Sequence, residues 1–402
     1  MAAIDPFAPE ALEEPYPIYA ELRRPPGVHQ APGTRIWLVA RHALVLEALG
    51  RPEDFSSNLM GQLRLAEPPP FLDVLAIADP PVHTAHRRLV NVSFTSRRVD
   101  ALEAGIRALV AERLGPLVAR GRGEWMAEIS QPVPMLAICR VLGLPDSAAA
   151  SEQRFADEAG ELVTPTTGDA RRLELRKSLH EWSADLEARL DAVGDPPPAD
   201  VQGDLVRAVR ERLLTRREAA SFVAQLVGAG FESTGSLLGS AVRLLAGDPA
   251  LAARLRGEPA RIPAFVEEVA RLESPFRGHH RLVRRECALG PVRLRAGDQL
   301  LLSWAAANRD PEVFEAPDAL RLDRPNPRHH LGFGRGIHFC VGAPLARLEV
   351  RVVLEELLAR TARIALDPEA PAPRHVASAT VRRLARLHLV FEDASGPMAS
   401  AN

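Results

Sequence analysis

The chain of 402 residues has one lysine (Lys177), two tyrosines and three cysteines. Three cysteines so far apart (Cys139, Cys287, Cys340) give no disulfide framework, which fits a reducing compartment. Two of them beyond Cys340 are too few for an iron–sulfur cluster. No run of about 18 uncharged apolar residues is present, so no membrane span is expected. The start, Met1-Ala2-Ala3-Ile4-Asp5-Pro6, has neither a basic region nor an apolar one, and no signal peptide is expected. A formal charge of −2 argues against a general nucleic-acid binder, which would be basic. The near-absence of lysine leaves arginine as the cation, a bias that a GC-rich coding sequence explains as well as any function. The rest, 46% hydrophobic and 25% charged, is what a soluble globular chain needs for a core and a surface.

One stretch stands out against this background. Phe333-Gly334-Arg335-Gly336-Ile337-His338-Phe339-Cys340-Val341-Gly342 sets a lone cysteine in a glycine-punctuated loop. Glycines there let the backbone turn tightly beside a bulky partner. From Leu345 the apolar residues Leu345, Leu348, Val352 and Leu358 recur at helical spacing. Cys340 therefore precedes a helix N-terminus, where free N–H groups and the helix dipole favour a thiolate. A buried structural cysteine is the plain alternative. A soft sulfur ligand on a rigid loop is also what a haem iron needs when its proximal ligand is sulfur.

The pattern Phe-Gly-x-Gly-x-His-x-Cys-x-Gly resembles the signature of the cytochrome P-450 family of haem-thiolate monooxygenases, with every fixed position filled. The resemblance implies one domain over residues 1–393 with a disordered tail from 394 to 402. Its fold would be mainly α with a smaller β region (α+β), the haem lying between a long central helix and the cysteine-loop helix. It implies that Cys340 is the axial iron ligand, that Phe333 packs near its sulfur, and that His338 bonds a haem propionate. Gly334 and Gly342 belong to the same cradle.

Further segments extend the resemblance. Asp79-Pro80-Pro81-Val82-His83-Thr84-Ala85-His86-Arg87 resembles a family segment whose histidine and arginine, here His83 and Arg87, clamp propionates. Four residues apart, they share one face of a helix opened by Pro81. His86 and Arg88 would point away from that face, towards the proximal surface. Gly228-Ala229-Gly230-Phe231-Glu232-Ser233-Thr234-Gly235 resembles the family's oxygen-activating segment, with Ala229 and Gly230 against the haem and Glu232 as its acid. Ser233 stands where the family has threonine, with Thr234 next; a serine hydroxyl can still hydrogen-bond dioxygen or a water. Arg281 resembles a third propionate ligand. Glu268 and Arg271 match the family's structural Glu-x-x-Arg pair. Its usual third arginine position holds Ala319, so Arg321 or a backbone group is expected to substitute. Phe276, Thr380 and Val381 are the candidate substrate pocket.

The residue pattern sets further expectations. Residues 1 to about 30, rich in proline, would wrap the surface irregularly. Ile36–Ala40 reads as a strand and Arg41–Leu49 as a helix. Residues 56–77 read as an irregular loop, a lid in the family. Helical patterns cover Val99–Leu117 and Met126–Leu142, and two or three helices span 147–200 with a break at Thr164–Gly168. Thr215-Arg216-Arg217-Glu218 is a capping box opening a helix that runs to Ala246, roughly 46 Å long. Pro263 opens a helix that ends near Pro275. Pro291–Ser303 reads as a hairpin turning at Ala296-Gly297-Asp298, and Val381–Phe391 as a terminal strand.

Taken together these readings describe a cytoplasmic, monomeric monooxygenase that uses haem b (iron protoporphyrin IX) and dioxygen. It would insert one oxygen atom into a small, apolar organic substrate such as a secondary metabolite. With no room for a fused reductase, electrons would come from a separate ferredoxin or flavodoxin with its NAD(P)H-dependent reductase. Arg88, Arg335 and Arg347 would form its docking face. No membrane and no nucleic-acid partner are expected. A peroxide-driven enzyme and a non-catalytic recruitment module are the alternatives; Glu232-Ser233 weighs against the first and Cys340 against the second.

Overall fold

The structure is a computed structural model that describes residues 8–59, 75–162 and 167–394. In chain order the elements begin with α1 (Pro9–Glu13), α2 (Tyr16–Arg23), β1 (Val28–Gln30), β2 (Ile36–Val39), α3 (His42–Leu49) and β3 (Phe55–Ser56). They continue with α4 (Val82–Asn91), α5 (Ser96–Asp100), α6 (Glu103–Arg120), β4 (Arg122–Glu124), α7 (Pro132–Val141), α8 (Ala149–Leu162) and α9 (Asp169–Asp191). Next come α10 (Val201–Arg210), α11 (Arg216–Gly247), α12 (Pro249–Gly257), α13 (Ile262–Glu273), β5 (His279–Val283), β6 (Cys287–Leu289), β7 (Val292–Leu294) and β8 (Gln299–Leu302). The last are α14 (Trp304–Ala307), α15 (Ala343–Arg360), β9 (Thr361–Leu366) and β10 (His388–Asp393). Helix thus dominates, with short strands beside it.

The chain groups into two compact units. One comprises the chain up to Phe55, Asp100–Val133 and the chain from Ser233; the other comprises Ser56–Val99 and Pro134–Glu232. In the first, a sheet of order β1-β2-β8-β5-β3 pairs β1 with β2 and β5 with β8 antiparallel, and β2 with β8 parallel. The β-branched and aromatic run Ile36-Trp37-Leu38-Val39 suits a half-buried pleat, and its partner β8 buries Leu300 and Leu302 completely. Behind it Val39, Val45, Phe55, Val283, Leu331 and Trp304 close one apolar core. Helix α15 packs on α6, and Arg107 and Arg351 tie them through Glu103, Glu355 and Glu356.

In the second unit α10 is anchored by Asp204, which accepts from Ser93 Oγ at 2.6 Å and pairs with Arg98 and Arg207. Cys139 and the neighbouring helices α7, α8 and α9 supply its core, where Phe155 stacks on Trp182 at 3.7 Å. The division between units falls inside α11, between Glu232 and Ser233.

Several expectations need correction. The proline-rich start is helical in α1 and α2, because Pro9 and Pro17 fall in first turns, where a missing N–H costs nothing. Met126–Ser130 is a π-helical turn ahead of α7, and the 99–117 helix is split into α5 and α6. The hairpin lies earlier than expected: β6 pairs with β7 around Gly290, and β8 pairs with β5 and β2 instead. Gly290 has φ 53°, and a Cβ there would strike Leu44 at 2.8 Å, so only glycine turns the chain there. The terminal strand starts at His388. Before it Val381 makes only an isolated bridge to Phe276, and the Arg382 N–H is taken by the Pro275 carbonyl at 2.8 Å. Of the expected lid loop over 56–77, the break at Thr164–Gly168 and the tail 394–402, residues 60–74, 164–166 and 395–402 lie outside the described residues.

The capping box forms as expected: Thr215 N–H and Oγ1 donate to Glu218, whose own N–H donates back at 3.2 Å. Among the described residues no helix is long and apolar enough to cross a membrane.

Candidate functional site

The Cys340 loop is built by hydrogen bonds between its own ends. The Cys340 N–H donates to the Phe333 carbonyl at 2.9 Å, closing the loop, and the Gly334 N–H donates to Leu331 O at 2.8 Å. Gly334 and Gly336 hold φ of 68° and 72°, and a Cβ on Gly336 would press on Leu49 O at 3.2 Å. A single 3-10 turn, Gly336–His338, leads to Cys340, and α15 starts three residues later with Pro344 in its first turn. Cys340 is exposed, whereas Cys139 is completely buried and burial pushes its thiol up to about 12. The two cysteines are thus chemically opposite: one inert in a core, one presented at a helix N-terminus.

Beneath the loop lies a buried charged scaffold in the same unit. Arg271 forks onto Glu268 at 2.8 and 2.9 Å, both fully buried, and gives its other donors to the carbonyls of Asn308, Pro317 and Ala319. The third side chain is Arg324, whose Nε donates to Glu268 at 2.9 Å. Arg321 offers Glu268 only its backbone N–H, at 2.9 Å, and turns its guanidinium to Glu315. Arg324 is 56 residues from Glu268 on an irregular segment, and no local pattern marks it.

On β5, Arg281 is buried and donates to its neighbour's carbonyl, His280 O, at 2.7 Å. Two residues earlier on the same strand face, His279 Nδ1 accepts the Trp304 indole N–H at 2.8 Å. Burial, then Arg281 and His280, hold the His279 imidazole down at about 4. Phe276 lies beside His279, ring centroids 5.1 Å apart, and bridges to Val381. The Thr380 carbonyl accepts the Arg277 N–H at 2.8 Å. The pocket candidates therefore share one neighbourhood.

In the other unit, His83 is buried in the first turn of α4, with Arg87 one turn on. Burial, then Arg87 and His86, lower the His83 imidazole from its ordinary value. His86 does not point away as expected. It is buried edge-on against Phe222 at 5.1 Å and lies 3.8 Å from Glu218, because α4 presents that face to α11. Arg88 is exposed.

Along α11, Ala229 is exposed and a Cβ on Gly228 would meet no atom of the described residues within 4 Å. A Cβ on Gly230 would lie 3.0 Å from Ile138 and one on Gly235 2.5 Å from the Ser130 carbonyl, so both also serve close packing. Glu232 and Ser233 keep part of their surface open, whereas Thr234 is buried.

The Cys340 loop fits a haem held by a thiolate. An accessible soft donor sits on a loop whose Gly342, if given a Cβ, would bring it 4.0 Å from the Cys340 sulfur. A hard-metal centre would call for oxygen ligands instead.

Comparison with known proteins agrees. The sequence model described as Cytochrome P450 matches residues 199–369. Cytochrome P450 144 of Mycobacterium tuberculosis is 38% identical over 96% of this chain and 91% of its own length. A cyclomarin C epoxidase of Salinispora arenicola is 34% identical over 86% of this chain and 88% of its own. The solved structure of a cytochrome P450 from Chondromyces apiculatus superposes with a TM-score of 0.87 at 33% identity, covering 98% of this chain and all of that one. With its cysteine loop, its Glu268–Arg271–Arg324 scaffold and these relatives in agreement, the chain belongs to the cytochrome P450 family and is a monooxygenase of that family.

Proposed function

We propose that the protein binds haem b through the Cys340 thiolate and oxygenates a small apolar organic molecule with electrons from a separate ferredoxin or flavodoxin and its reductase. The observation that carries this reading is the Cys340 loop: an exposed cysteine whose backbone N–H donates to the Phe333 carbonyl at 2.9 Å, just before the N-terminus of α15. When bound, a haem-thiolate iron supplies the redox chemistry that activates dioxygen, one atom of which enters the substrate while the other leaves as water.

The chain's own residues bind, orient and deliver protons. Arg281 and His338 would neutralise propionates with charge-assisted hydrogen bonds. The same role for His83 and Arg87, and a proton-delivering role for Glu232 and Ser233, rest on their sequence motifs. Ser233 is the better hydroxyl than Thr234, since Thr234 is buried. Phe276 and Val381 would give the substrate an apolar wall. A cytoplasmic location and a docking role for Arg88 and Arg335 complete the proposal. Arg347 is less suited to docking, because its guanidinium is committed to Glu267 at 2.6 and 3.0 Å.

The test is reconstitution. Substrate turnover with a ferredoxin, its reductase and a nicotinamide donor supports the reading, provided the extracted haem is of b type. Turnover that needs only hydrogen peroxide contradicts the electron-transfer part.

A further inference from the structure

Glu267 precedes the Glu268–Arg271 pair by one residue and serves a different network. Its carboxylate is buried and accepts hydrogen bonds from two side chains. Arg347 forks onto it, Nε at 2.6 Å and Nη2 at 3.0 Å, His330 Nε2 lies at 2.8 Å, and Arg328 stands off at 3.9 Å. Burial pushes the Glu267 carboxyl up, but the bonds from His330 and Arg347 outweigh it and hold it at about 2. It is therefore an anion.

His330 is locked from both sides. The Gly332 amide, which can only donate, gives its hydrogen to His330 Nδ1 at 3.1 Å. The imidazole is thus neutral, with its proton on Nε2 pointing at Glu267. Gly332 is required here, because a Cβ would lie 2.6 Å from Ala270 O and 3.0 Å from His330 Nδ1.

Both partners of Glu267 converge on Phe333. The Arg347 guanidinium lies over its ring, 4.2 Å from the centroid, and the His330 ring packs 5.9 Å away. Phe333 in turn holds Cys340 through its carbonyl at 2.9 Å. The chain of contacts is Glu267 to Arg347 and His330, those to Phe333 and Gly332, and Phe333 to Cys340. A planar guanidinium can fork on a carboxylate and stack on a ring at once, which a lysine cannot.

We propose that Glu267 is a positioning residue for the thiolate ligand, acting through Arg347 and His330 to hold the Phe333–Cys340 loop and to neutralise the Arg347 cation that lies over the Phe333 ring. This rests on the haem-thiolate reading of Cys340. It predicts opposite electrostatic signs for its two ends. Glu267→Gln turns a donor towards either Arg347 or His330 and leaves the Arg347 cation uncompensated, so reduction of the iron becomes easier. Arg347→Gln leaves the Glu267 anion uncompensated, so reduction becomes harder.

The experiment measures the haem reduction potential and the reduced carbon monoxide spectrum of the purified holoprotein and both variants. Expected are a rise for Glu267→Gln, a fall for Arg347→Gln, and a return towards the parent value in the double variant. Unchanged potentials, or shifts of one sign in both, overturn the proposal and leave Glu267 a mere structural brace. Should Glu267→Gln not take up haem, Arg347→Gln decides alone: Arg347 is partly exposed, and a fall supports the proposal while no change or a rise overturns it. An unsubstituted protein without the thiolate band at about 450 nm removes the haem-thiolate reading itself, and the proposal with it.

Discussion

The Trp304 indole N–H donates to His279 Nδ1 at 2.8 Å, and this one bond decides the state of an imidazole at the candidate pocket. An indole nitrogen only donates, so His279 is neutral and its remaining proton sits on Nε2. His279 is open to solvent by area yet ringed by Phe276, Trp304 and Arg281, and burial, then Arg281 and His280, hold it at about 4.

That state has a pH signature. Between about 6.5 and about 4 the unfolded chain takes up a proton at His279 that the folded chain refuses. Stability from this group is full above the upper value and is lost as pH falls through the window. His279→Gln keeps an acceptor for Trp304 and removes the titration. The difference in urea midpoint between about pH 7 and about pH 5 is expected to shrink in the variant. An unchanged difference contradicts the assignment.

The buried scaffold gives a second contrast. Arg324→Met leaves the Glu268 carboxylate short of a partner in a dry site, and a loss of about 3–5 kcal/mol is expected. Arg321→Ala removes only its surface pairs with Glu315 and Asp323 and keeps the backbone N–H that serves Glu268, so about 0–1 kcal/mol is expected. Equal losses in thermal or denaturant unfolding would mean that Arg321 is the true third member.

This contrast also shows where the sequence stops being readable. Glu268 and Arg271 are three apart on one helix, so local spacing alone puts them together. The capping box at Thr215 and the glycine turns around Cys340 are local in the same sense. Arg324 reaches Glu268 across 56 residues, Trp304 reaches His279 across 25, and Arg347 reaches Glu267 across 80; no periodicity encodes such pairs. The misplaced hairpin has a similar origin. Alternation in Pro291–Ser303 is real, but β8 pairs in parallel with the distant β2, and the adjacent β7 is left to β6. His86 departs from expectation because it packs against Phe222 and Glu218 of α11, a long-range contact that no pattern within α4 encodes.

On α11 the exposure difference between Ser233 and Thr234 predicts separable phenotypes. Ser233→Ala is expected to leave unfolding unchanged and to lower product formation on the order of a hundredfold, the low end for a positioned proton donor. Thr234→Ala is expected to lower stability with turnover largely kept. The reverse pattern would assign the hydroxyl role to Thr234.

Electron delivery is checked at Arg88, which is exposed on α4. Arg88→Glu is expected to slow reduction by a ferredoxin, more so at low salt, and to leave reduction by dithionite unchanged. Equal effects on both reductants would remove Arg88 from the docking face.

The central claim is that Cys340 ligates the iron as a thiolate. The direct measurement is the spectrum of the dithionite-reduced, carbon monoxide-treated holoprotein. Thiolate ligation predicts a Soret band at about 450 nm in the folded protein, lost in Cys340→Ser. A band at about 420 nm in folded, unsubstituted protein would contradict it.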